Sequence, residues 1–198
     1  GAIAVPMDSQ LGPDEIKNLL YDSETTLIFH SQKTSANITA SFEKLSQIQR
    51  NNILLVNFDS SEYEMIKQAK PSIIFNELAA EDTASIIYTS GTTGNPKGVM
   101  LTHKNFCSDA QAIIDARIVS HEDNVLSILP LHHTYAFMCT FLVPVFLGAS
   151  ITYPASLKGT DLMSAVKDRG VSILIGVPQL LDIIKNGVAK GIAYDTFL

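Results

Sequence analysis

Apolar residues in this chain come in short, nearly continuous runs, separated by stretches with helical spacing. Ile3–Pro6, Thr26–Phe29, Ile53–Asn57, Ser85–Thr89, Val125–Leu129, Ser150–Tyr153 and Ser172–Ile175 read as strands. Most are apolar throughout rather than alternating, the pattern of strands covered on both faces. Between them, Pro13 with Asp14 and Glu15 opens a helix that carries Ile16, Leu19 and Leu20 at helical spacing. Ser61 and Glu64 fit a capping box ahead of Met65 and Ile66. Thr102 is placed to cap a helix whose buried face would be Phe106, Ala110, Ile113 and Ile114. Another helix is expected from about Leu162 to Asp168, Pro178 stands where a further first turn would begin, and Ser31–Thr39 is expected to be a loose loop. Strand and helix in alternation predict an α/β fold, a mostly parallel sheet flanked by helices on both faces. Such sheets bind ligands in the loops outside the carboxyl ends of their strands.

Composition narrows the picture. With 46% hydrophobic and 17% charged residues the chain is globular. Its net charge of -6 and scattered lysines and arginines leave no basic stripe for nucleic acid. Cys107 and Cys139 form neither a disulfide framework nor a metal-ligand spacing, so no metal site is expected and a reduced, cytoplasmic location is. Residues 124–157 contain no Asp, Glu, Lys or Arg, a length that could suggest a membrane span. His132, His133, Pro130, Pro144, Gly148 and the β-branched end Ile151-Thr152-Tyr153 break that run into strand, loop, helix and strand. Buried core is the reading, with no transmembrane segment and peripheral membrane contact left open. The chain begins without methionine in an apolar stretch, with no charged leader before it. We read it as a piece of a longer protein.

The chemistry concentrates after the fourth strand, in Tyr88-Thr89-Ser90-Gly91-Thr92-Thr93-Gly94-Asn95-Pro96-Lys97-Gly98. Glycines let a backbone approach a ligand closely and present its N–H groups to an anion. Thr89, Ser90, Thr92 and Thr93 add hydroxyl donors, and Lys97 adds a cation suited to phosphate. Together they describe a triphosphate cradle. The order is not that of a Walker A loop, because Lys97 precedes Gly98 and Val99-Met100-Leu101 intervenes before Thr102. The loop therefore reads as a connection between two strands, with no helix dipole aimed at the phosphates.

These eleven residues closely resemble the phosphate-binding signature of the adenylate-forming superfamily, which includes acyl-CoA synthetases, peptide-synthetase adenylation domains and firefly luciferase. Val99-Met100-Leu101-Thr102-His103 continues the likeness. So do Gly1-Ala2-Ile3-Ala4-Val5-Pro6, Leu129-Pro130-Leu131-His132-His133, Leu147-Gly148-Ala149 and Gly176-Val177-Pro178, in the family's order. Alone, a histidine in an apolar run reads as core packing. The resemblance instead implies that His133 lies beside the acyl carboxylate and α-phosphate, with His132 in a packing role. It further implies that Thr89, Ser90, Gly91, Thr92, Thr93, Gly94 and Lys97 bind the phosphates of ATP, with Lys97 and His133 taking part in catalysis. Tyr135, Ala136 and Phe137 are candidates for lining an acyl tunnel or for plain helix packing.

The implied reaction joins a carboxylic acid to coenzyme A through an acyl-adenylate, with ATP and Mg2+. The main magnesium ligand, the adenine and ribose contacts and the carboxyl-terminal domain would lie outside this chain. The Leu-Pro-Leu-His-His-Thr-Tyr-Ala-Phe segment looks closest to bacterial long-chain fatty acid–CoA ligases. A peptide-synthetase or aryl-acid adenylation domain and a non-catalytic nucleotide-binding module stay open as alternatives. By the same resemblance, residues 1–176 form an α/β subdomain carrying the phosphate loop, and 177–198 begin the next subdomain.

Overall fold

The computed structural model describes residues 1–70, 77–89 and 96–178, together with Asp182 and Lys185. The chain divides into two compact units, Gly1–His103 and Lys104–Leu198.

The first unit holds helices α1 (Pro13–Asp22), α2 (Ser35–Glu43), α3 (Gln47–Asn51) and α4 (Ser61–Gln68), and strands β1 (Leu27–His30), β2 (Leu54–Asn57), β3 (Thr83–Thr89) and β4 (Lys97–Thr102). β1 and β2 pair in parallel, Leu27 against Leu54 through His30 against Asn57. Against them Ile16 and Leu20 of α1 and Ile38 of α2 bury themselves with Ile28 and Leu45. α1 starts at Pro13, as its composition predicts, and the Glu15 carboxylate accepts the Gly12 amide at 2.8 Å.

Two expectations are corrected here. Ser31–Thr39 is not loose, because α2 begins at Ser35. Its Ser, Thr and Asn content is poor for a helix, yet Ile38 is buried in the core and Asn37 donates to the Leu11 carbonyl at 3.0 Å. Tertiary burial overrides local propensity. The cap of α4 is Ser60, not Ser61: Ser60 accepts the Tyr63 amide and donates its own hydroxyl to Asn57 at 2.7 Å. That second bond anchors Ser60 to the end of β2 and leaves Ser61 inside the helix.

β3 and β4 form an antiparallel pair in which Thr89 faces Lys97 and Tyr88 faces Gly98. On the other side of β3, Ala4 joins as a single parallel bridge, with the Ser85 hydroxyl donating to its carbonyl at 2.8 Å. Ile3–Pro6 thus contributes one bridge where a strand is expected, since Pro6 has no amide for a ladder. At Gly98 a Cβ would come within 2.9 Å of Ile86 and 3.2 Å of the Tyr88 ring, so only glycine lets that ring lie across the hairpin. The Tyr88 hydroxyl donates to Asp22 at 2.6 Å, which ties β3 to α1.

The second unit holds α5 (His103–Asp115, from its second residue on), β5 (Asn124–Leu126), α6 (Thr134–Phe137), a π turn (Met138–Leu142), α7 (Val143–Leu147), β6 (Ser150–Thr152), α8 (Gly159–Arg169) and β7 (Ile173–Leu174). β5 lies between β6 and β7, parallel to both. Side chains alternate along the strand. Leu126 and Ile128 therefore share one face and pack with Leu162 of α8, while Ser127 on the opposite face bonds Thr140 of the π turn. Helices cover both faces of this sheet. Three of the four strand pairings among the described residues are parallel, the α/β class that the pattern predicts.

The amino end of this sheet is pinned by Asp123. Its carboxylate accepts the Ser172 hydroxyl at 2.7 Å and the Ser120 amide and hydroxyl at 2.7 and 2.8 Å. The Ser172 bond first, then those from Ser120, hold it below the usual carboxylate range. No helix among the described residues is long and apolar enough to cross a membrane. The uncharged run instead becomes β5, a loop, the α6–α7 rod and β6.

Two measurements check this packing. Leu126→Ala, which empties a site with no exposure, should cost about 2–5 kcal/mol in urea unfolding. Burial, then the hydrogen bond and charge of Asp22, push the Tyr88 phenol up to about 12. The folded chain thus holds a proton that the unfolded chain releases near pH 10, so this contribution to stability is complete below pH 10 and lost as pH rises toward 12. Absorbance at 295 nm should show one tyrosine ionising late, and Tyr88→Phe should remove that late step.

Candidate functional site

Each unit carries one part of the expected site. In the first unit the pairing of β3 with β4 brings Thr89 opposite Lys97, the last facing pair among the described residues. The Thr89 hydroxyl donates to the Lys97 carbonyl at 3.5 Å, a long closing contact. Both residues are exposed, and among the described residues Lys97 makes no ion pair. β3 delivers this pair from the interior: Ser85 and Ile87 are buried, whereas Thr89 has emerged. Ser90, Gly91, Thr92, Thr93 and Gly94 lie outside the described residues. A hydroxyl and an uncommitted ammonium at the mouth of a hairpin suit an anionic group. The connection does run from strand to strand, as the order of Lys97 and Gly98 predicts.

In the second unit His133 stands at the N-cap of α6, extended at φ -96° and ψ 134°, with no side-chain cap bond. Its backbone is held on both sides, the amide to Pro130 at 3.1 Å and the carbonyl to Phe137 at 2.9 Å. The ring is exposed and lies 4.2 Å from that of His132, tilted by 50°. Of the tunnel candidates, Ala136 is buried, Phe137 packs edge-on against Phe106 at 5.7 Å, and Tyr135 is exposed. Packing thus claims the first two, and Tyr135 faces solvent.

Just before His133 a cavity of about 290 Å³ opens outside the carboxyl ends of β5 and β6. Ser127 to Leu131 form one wall and Tyr153, Pro154, Ser156 and Leu157 the other. The position is where parallel sheets bind ligands, and the lining carries no ionisable acid or base except the Tyr153 phenol. Only an apolar or neutral group suits it.

Behind this cavity lies a pair that the sequence did not single out. The Thr140 hydroxyl donates to the Ala136 carbonyl at 2.8 Å and lies 3.0 Å from the Ser127 hydroxyl. A hydroxyl has one proton to give, so Ser127 is the donor in the second bond. Both side chains are buried, and loss of either partner would leave a polar group unpaired at about 1–3 kcal/mol. The available signal was Ser127 itself, a polar residue inside an apolar run at the end of β5. Among the described residues no group of three or more His, Cys, Asp or Glu lies together in a way that could hold a metal ion.

Comparison with known proteins agrees with the resemblance. The family model described as AMP-binding enzyme matches residues 1–196. A mitochondrial malonate–CoA ligase of Xenopus laevis is 34% identical over 155 residues, 76% of this chain and 25% of that protein. A human long-chain-fatty-acid–CoA ligase is 44% identical over 124 residues, 61% of this chain and 18% of that protein. The chain therefore spans no more than a quarter of either relative. Among solved structures, the N-terminal domain of FACL13 from Mycobacterium tuberculosis matches with a TM-score of 0.83 at 27% identity, over 93% of this chain and 46% of that one. With almost its whole length matched in sequence and its α/β fold shared with the FACL13 amino-terminal domain, the chain belongs to the AMP-binding enzyme family.

Proposed function

We propose that this chain is the phosphate-binding part of a longer ATP-dependent fatty acid–CoA ligase. The observation that carries the reading is the hairpin of β3 and β4. In the sequence a signature of hydroxyls and glycines follows β3, whose Ser85 and Ile87 are buried, and Thr89 and Lys97 face each other where β3 and β4 pair. In the proposed reaction a carboxylate oxygen attacks the α-phosphorus of ATP and pyrophosphate leaves. The thiol of coenzyme A then attacks the acyl carbon of the mixed anhydride, forming the thioester and releasing AMP and a proton. Thr89, Ser90, Gly91, Thr92, Thr93, Gly94 and Lys97 would hold the β- and γ-phosphates while charge moves onto the leaving pyrophosphate. His133 would border the acyl carboxylate and donate a hydrogen bond to it.

The 44% identity to the long-chain enzyme, over 61% of this chain, supports a fatty acid as substrate. The cavity without charged groups beside β5 supports it too. A second reading, an aryl acid, has support from a feruloyl-CoA synthase of Amycolatopsis, 25% identical over 93% of this chain. We place the end of the phosphate-loop subdomain near residue 176. Because the chain spans a minor share of its relatives, we propose that it performs neither step alone.

The test is carboxylate-dependent exchange of labelled pyrophosphate into ATP by the longer polypeptide, across acids from acetate to palmitate, an aromatic acid and the amino acids. Exchange should be greatest with long fatty acids, and Lys97→Ala should reduce it about 10²-fold. Exchange confined to aromatic or amino acids would overturn the substrate and keep the chemistry. A folded protein that binds ATP and exchanges with no acid would instead be a non-catalytic nucleotide-binding module. The 198-residue chain alone should show no exchange, and robust activity from it would refute the claim of incompleteness.

A further inference from the structure

The rod from Thr134 to Leu147 is not one regular helix. Its middle, Met138–Leu142, is a π turn in which the Val143 amide reaches the Met138 carbonyl five residues back. Two features of the sequence keep it there. Pro144 brings no amide to the ladder, so the Thr140 carbonyl loses its regular partner inside the wide turn. The Thr140 hydroxyl returns to the Ala136 carbonyl four residues earlier, a bond that bends or widens helices. Ser127, donating from the end of β5, holds that hydroxyl in place.

We propose that Ser127 and Thr140 are positioning residues for the acyl side of the site, and that they set the rotation of the α6 turn that carries His133 and Tyr135. The inference rests on the adenylation reading above, in which His133 borders the carboxylate. A change between π and regular pitch shifts the helix by one residue, about 100° of rotation. His133 is coupled directly to this turn, because its carbonyl accepts the Phe137 amide one residue after Ala136. The donor chain from Ser127 to Thr140 to Ala136 therefore connects the sheet to the start of the helix. Ser127 also lines the cavity, so one buried hydroxyl relates the cavity wall to the angle at which the histidine is presented.

The experiment compares Thr140→Val, Thr140→Ser and Ser127→Ala in the full-length ligase by pyrophosphate exchange, with the thermal midpoint measured alongside. Valine keeps the shape of threonine and removes the hydroxyl; serine keeps the hydroxyl. Thr140→Val should raise the KM for the carboxylic acid roughly 10- to 100-fold and leave the KM for ATP within about twofold, and Thr140→Ser should restore it. Ser127→Ala should act in the same direction and decides the matter if Thr140→Val does not fold. A lowered thermal midpoint with both KM values unchanged, or Thr140→Ser as impaired as Thr140→Val, would overturn the proposal. If the wild type shows no exchange, the adenylation reading fails, and the pair is judged from the His133 ring resonances. A shift in Thr140→Val that is reversed in Thr140→Ser upholds the coupling; an unmoved signal ends it.

Discussion

Strand β5 has no face toward water, and the second unit is arranged around that fact. Val125 and Leu126 have no exposed surface, so the strand needs apolar cover on both sides and backbone partners at both edges. α8 supplies one cover, the α6–α7 rod the other, and β6 and β7 satisfy the two edges. Burying a strand this fully excludes chemistry along its length and confines it to the ends. At the amino end Asp123 and Ser172 form a tight polar clasp. At the carboxyl end the chain emerges as Ser127 to Leu131, and there the cavity opens and His133 follows.

In the first unit β3 is covered less fully, its buried residues alternating with partly exposed ones. β3 is flanked by Ala4 on one edge and β4 on the other, with Ser85 and Ile87 buried. Its carboxyl end also reaches the surface at a polar residue, Thr89. Here β4 pairs with it as an antiparallel partner, which puts Lys97 opposite Thr89. The backbone of Lys97 is held by the ladder, and among the described residues its ammonium makes no ion pair.

Much of this was legible in the sequence because it follows from covering apolar runs. The strands fell where β-branched and aliphatic residues clustered, and α1 began where Pro13, Asp14 and Glu15 predict. α2 was illegible because its stability comes from what Ile38 and Asn37 touch, not from its own residues. Ser60 and Ser61 are equivalent in a pattern, and only the bond from Ser60 to Asn57 distinguishes them. At the site, the proposal of phosphate chemistry rests on residue type, the glycines, threonines and Lys97 of the signature. No residue type announces that the Tyr88 ring must lie across Gly98, or that Tyr88 bonds Asp22, sixty-six residues earlier in the chain.

The hydroxyl pair behind β5 shows why such contacts escape a reading by pattern. Ser127 is the third residue of an apolar run and Thr140 sits in another, and each alone looks like a tolerated small polar residue. Pro144 looks like a helix breaker, yet the rod continues through it, because the π turn ahead of it absorbs the lost hydrogen bond. Gly148, at φ 72°, then ends the rod in the left-handed region that favours glycine and turns the chain into β6. A buried polar group must find a partner wherever the fold places one. Thr140 has a single proton and gives it to its own helix, which leaves its lone pair for Ser127. The direction of that bond follows from counting donors: Ser127 gives the proton and Thr140 accepts it.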